Sequence, residues 1–90
     1  MKKFNECFTG EKRVKGIGSY LSSNNDIYIE TKDSIITDFF TQFILNKKHI
    51  NLIEFSGLES DGTFNGPFMV VNIDKSITNQ LTTIHLRRSV

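Results

Sequence analysis

Cys7, His49 and His85 are the only thiol or imidazole side chains in the sequence, and no two of them stand at a spacing that would grip one metal ion. A structural zinc site needs three or four such ligands, usually in close pairs, so none is expected here. Both histidines read as ordinary surface or edge residues, and Cys7 as a small buried apolar residue rather than a reactive thiol. Ser19 lies in Gly16-Ile17-Gly18-Ser19-Tyr20-Leu21. That run lacks the Gly-x-Ser-x-Gly spacing of a nucleophile elbow and the third glycine of a dinucleotide fingerprint. No Gly-x-x-x-x-Gly-Lys-Ser/Thr run occurs to cradle a triphosphate.

The run from Glu59 to Gly66 holds Glu59, Asp61 and Asn65, whose oxygens could meet calcium. It lacks the regular alternation and closing glutamate of a helix-loop-helix calcium site. Glu59 and Asp61 also resemble an acid and base pair, but carboxylates in a glycine-bearing loop are expected to be solvated and to keep ordinary pKa values. No catalytic residue, cofactor site or metal site is therefore assigned. Phe64 is a lone aromatic between turn residues, and it is expected either to fold back on the core, the preferred reading, or to serve as an anchor for a partner.

Cations mark both ends of the chain. Residues 1–15 carry a net charge of +3, residues 16–74 a net charge of −5, and residues 75–90 a net charge of +3, within an overall +1. If the strand holding Lys12, Arg13 and Lys15 lay beside the strand ending in Arg87 and Arg88, these five would form one basic patch, with Tyr20 or His85 to stack on bases. The total charge is far below that of a dedicated nucleic-acid binder.

The elements that must position these groups are short. Apolar Ile36, Phe39, Phe40, Phe43 and Ile44 recur at helical spacing, with Thr37, Asp38, Thr41, Gln42 and Asn46 opposite, which predicts an amphipathic helix over about residues 33–48. Asp33 or Ser34 would cap its start, Asp38 would sit near the positive end of the dipole, and Lys47 and Lys48 would face the negative end. Ile, Thr and Phe are poor helix formers, so burial rather than propensity must hold this segment.

Strands are expected at 4–9, at 12–21 with weakening at Gly16 and Gly18, at 27–30, at 50–56, at 68–73 and at 80–88, with a polar loop at 57–66. The fold expected is α+β, a mainly antiparallel sheet of about five or six strands in the order ββ(β)αβββ, with the helix packed on one face.

Ninety residues suit one domain, 1–90. The chain has no alanine, 11 isoleucines and eight asparagines, a usage in keeping with AT-rich coding such as that of low-GC bacteria or their phages and mobile elements. One cysteine excludes an internal disulfide, and no apolar run is long enough to span a bilayer or make a signal peptide, so a cytoplasmic protein with no membrane partner is expected. The function expected is that of a small non-enzymatic interaction protein that binds and modulates a larger protein, inhibition being the preferred mode, such as a phage- or mobile-element-encoded antagonist of a nucleic-acid-processing enzyme. The candidate contacts are Lys12, Arg13, Lys15, Arg87, Arg88, Asp38 and Phe64. The alternatives are an RNA or single-stranded DNA binding module using the basic termini and a homo-oligomeric assembly subunit.

Overall fold

Alternation decides which residues face inward. In β5 (Asp26–Thr31) Ile27, Ile29 and Thr31 are buried, and in β8 (Thr82–Arg88) Thr82, Ile84 and Leu86 are buried, so the two strands share one inner face. The computed structural model describes residues 2–3, 6–9, 12–56 and 62–89, with backbone alone at 2–3, 6–8, 12–15 and 56. The remaining strands are β1 (Lys2–Lys3), β2 (Glu6–Thr9), β3 (Lys12–Lys15), β4 (Ser19–Ser22), β6 (Ile50–Ser56) and β7 (Gly62–Lys75). One helix, α1 (Ser34–Leu45), lies between β5 and β6. All pairings among the described residues are antiparallel, in the order β1-β4-β5-β8-β7-β6-β2-β3.

That linear order describes a sheet that closes on itself. β1 pairs with β4 at one margin and β2 pairs with β6 at the other, yet only residues 4 and 5 stand between Lys3 and Glu6. So short a span of chain reaches at most about 11 Å, so the margins must curl together into a small barrel. A barrel of this size is filled by its own side chains. Ile17, Tyr20, Ile27, Ile29, Ile50, Ile53, Phe55, Phe68, Val70, Ile84 and Leu86 form that filling, and Ile36 and Phe40 of α1 join the same cluster. The helix packs mainly on β7 and to a lesser extent on β8.

The α+β class, the antiparallel sheet and the single packed helix agree with the expectation from sequence. The details differ in several places. The run 12–21 is two strands, because at Gly16–Gly18 the chain leaves the β3 pairing, with Gly16 at φ 94°. With β1 and β2 also distinct, five strand segments precede the helix and three follow it among the described residues.

The described part of the expected loop, residues 62–66, is the start of β7, where Gly62 to Asn65 pair with Phe55 to Leu52. Residues 57–61, including Glu59 and Asp61, lie outside the described residues. The helix ends at Leu45 rather than near residue 48, since Lys47 adopts φ 52° and donates its N–H to the Ile44 carbonyl while Lys48 N–H reaches the Phe43 carbonyl. These two bonds form the Schellman closure of a helix end.

Thr37 is buried instead of lying on the polar face, which its hydroxyl permits by donating to the Asp33 carbonyl. Ile44 is 37 % exposed, and Phe39 and Phe43 are half-buried at the flank of the stripe. Asp33 caps the helix, its carboxylate accepting from Ile35 N–H at 2.8 Å.

Candidate functional site

The outward parity of β5 and β8 brings Asp26, Tyr28, His85 and Arg87 together. Asp26 is the register partner of Arg87, and Tyr28 that of His85, so the four side chains lie in two adjacent rows on one face. His85 Nε2 donates to Asp26 Oδ1 at 2.8 Å, and Arg87 Nε donates to the same oxygen at 3.0 Å. The Tyr28 and His85 rings stack with centroids 4.3 Å apart and planes 15° from parallel. The hydrogen bonds from His85 first, then Arg87, hold the Asp26 carboxyl below its ordinary pKa.

The rows extend sideways through the register. Leu21 of β4 pairs with Tyr28, and Asn72 of β7 pairs with His85, next to Val71 at a β-bulge. Leu21 is 51 % exposed, Tyr28 37 % and Val71 46 %. The next row holds Ser19, Glu30, Thr83 and Asp74. Among the described residues neither Glu30 nor Asp74 forms an ion pair. The outer face of β4, β5, β8 and β7 thus carries an apolar and aromatic strip beside free carboxylates. Aromatic anchors with a polar border are the makings of a contact surface.

The candidate residues read from sequence do not gather into one site. Lys12, Arg13 and Lys15 lie on β3, which among the described residues pairs with β2 alone, and four steps in the sheet separate β3 from β8. The two strands are not neighbours, so the single five-cation patch does not form by strand pairing. Arg87 is engaged by Asp26, and Arg88 lies over the Phe68 ring, 4.7 Å from its centroid, with its Nη1 donating to the Asn65 carbonyl.

Tyr20 is 3 % exposed inside the barrel, where burial raises its pKa, so it presents no ring to a ligand. His85 stands on an inner strand of the sheet, not an edge, and faces outward. Phe64 folds back on the core, edge-on to Tyr20 and Phe55 with centroids 5.6 and 5.9 Å away. Asp38 is exposed on α1. His49 is exposed, and no cluster of three or more metal-ligating side chains occurs among the described residues.

Sequence reasoning missed the Asp26, Tyr28, His85 and Arg87 group. Its signal was present in part: the expected strands at 27–30 and 80–88 give Tyr28, His85 and Arg87 the outward parity, while Asp26 falls outside the first of them and the pairing register was lacking. No protein-family model matches the chain, and no curated protein and no solved structure matches it either. No helix is long and apolar enough to cross a membrane among the described residues.

Proposed function

We propose that the chain is a non-enzymatic interaction protein that docks on a larger protein through the outer face of β4, β5, β8 and β7 and inhibits it. The observation that carries this reading is the exposure of Leu21, Tyr28 and Val71 around the Tyr28 and His85 ring stack. Exposed apolar side chains gathered on one face, bordered by an arginine and carboxylates, resemble the anchor and rim of a protein interface. The acidic middle segment favours a target with a basic groove, such as a nucleic-acid-processing enzyme.

The test is affinity capture from lysate of the source cells with the wild-type chain and with a Leu21→Asp, Tyr28→Ala, Val71→Asp variant. Circular dichroism would establish that both are folded. The expected result is one protein captured by the wild type and lost by the variant. Capture that survives the substitutions, or no specific capture at all, would overturn the reading.

A second reading, binding of RNA or single-stranded DNA, draws on the same ring stack, since Tyr28 and His85 beside Arg87 offer a base-stacking platform. It predicts a salt-sensitive gel shift weakened by Tyr28→Ala, His85→Ala and Arg87→Ala. Absence of a shift at low salt would sink it.

A further inference from the structure

We propose that the cleft between the start of α1 and the end of the β7–β8 hairpin binds a phosphate monoester. The cleft has a volume of about 250 Å³ and is bordered by two lysines, Lys32 where β5 ends and Lys75 where β7 ends. Both are exposed, and neither is paired with a carboxylate among the described residues. Ser34, the first residue of α1, lies on the same wall, so the positive end of a 12-residue helix opens there. The capping carboxylate does not fill the position. Asp33 has one oxygen on Ile35 N–H and the other against Gly16, and it borders a neighbouring cleft instead.

Thr82 supplies the independent sign of a ligand. It is only 7 % exposed and lines the cleft, and its hydroxyl has no hydrogen-bond partner among the described residues. A hydroxyl so placed, open to the cleft and not committed inside the fold, can donate to a ligand there. Gln80 adds an amide to the same wall from a backbone held at φ 57°. The Thr37 hydroxyl, by contrast, is committed to the Asp33 carbonyl.

The charge on the walls selects the class of anion. Lys32 and Lys75 against Asp38 leave one net positive charge. A compact dianion between two ammonium groups gains from both, whereas a phosphodiester brings half the charge and a chain on each side. Asp38 disfavours a bare second anion and accepts a hydrogen bond from a hydroxyl or amine on the ester. A phosphorylated small molecule and a phosphorylated side chain of a partner share this chemistry.

The test is a nitrogen-15 NMR titration of the whole chain with glycerol phosphate, with phosphoserine in a short peptide, and with a single-stranded oligonucleotide. The expected result is saturable shifts at Ser34, Lys75, Gln80 and Thr82 with the monoesters. Lys32→Gln and Lys75→Gln are each expected to weaken binding by about tenfold. The isosteric Thr82→Val is expected to weaken it by about threefold while leaving the spectrum folded. Tighter binding of the small ester assigns a free metabolite as the source, and tighter binding of the peptide assigns a partner's side chain. No shifts at millimolar monoester, shifts indifferent to these substitutions, or tighter binding of the oligonucleotide at this cleft would overturn the proposal.

Discussion

The Tyr20 ring lies flat on the Phe55 ring, with centroids 4.2 Å apart and planes 12° from parallel, although three strands stand between β4 and β6 in hydrogen-bonding order. In a flat sheet four strand spacings would part them by about 19 Å. The contact is therefore a direct measure of how far the sheet curls. Phe64 closes the cluster edge-on, and a Cβ at Gly62 would collide with the Tyr20 hydroxyl, so the register of β7 is fitted to this ring.

The stack should behave as one energetic unit. Tyr20→Ala and Phe55→Ala are each expected to lower stability by about 3–5 kcal/mol, as for other buried aromatic truncations. The double variant should lose less than the two together, by about 0.5–1.5 kcal/mol, measured by urea unfolding of all four proteins. Strict additivity would mean that the two rings do not hold the curl jointly.

The end of α1 offers a stabilising change. Lys47 occupies the left-handed position of the helix closure, at φ 52°, where a non-glycine residue is strained by about 1–2 kcal/mol. Glycine relieves that strain but adds freedom to the unfolded chain. Lys47→Gly is therefore expected to raise stability by roughly 0.5–1 kcal/mol. A fall in urea midpoint would show that the Lys47 side chain matters more than its backbone.

Gly66 tests the bulge that joins β6 to β7. The register slips between Ile50 and Leu52, and a Cβ on Gly66 would land on the Ile50 carbonyl oxygen and 2.8 Å from Phe68 N. Both obstacles are backbone atoms, which cannot rotate away. Gly66→Ala is expected to cost at least about 2 kcal/mol in chemical denaturation, well beyond an ordinary surface substitution. A loss below about 0.5 kcal/mol would mean that the bulge can open without harm.

What could be read from sequence divides along the distance over which residues act. The α1 stripe was legible because Ile36 and Phe40 lie within one turn of each other, and the inward side of β8 was legible because Thr82, Ile84 and Leu86 alternate. The helix end was misplaced because a lysine, not a glycine, takes the left-handed position.

The barrel was not legible at all. Its closure depends on one amino-terminal segment pairing with β4 and β6, which are separated by the whole helix, and no local pattern encodes such a choice. The candidate site failed in the same way: the outward parity of Tyr28, His85 and Arg87 was readable, but Asp26 lay outside the expected strand at 27–30 and its pairing with Arg87 across 61 residues was not readable.

Asp26 allows that pairing to be tested by pH. Its carboxyl is held below the ordinary value, first by the hydrogen bond from His85 and next by that from Arg87. A carboxyl whose pKa is lower in the folded than in the unfolded protein stabilises the fold fully above its unfolded value, about 3.9. That contribution declines as the pH falls through 3.9 toward the folded value, and it is gone below both. Asp26→Asn removes the titration and leaves His85 and Arg87 without their anion. The wild type should therefore melt higher than the variant at about pH 6, and the gap should narrow steadily between about pH 5 and pH 2. Thermal midpoints of both proteins across that range decide the matter. A gap that stays constant would mean that the Asp26 charge does not contribute through these bonds, and that the rows of the outer face are held by packing alone.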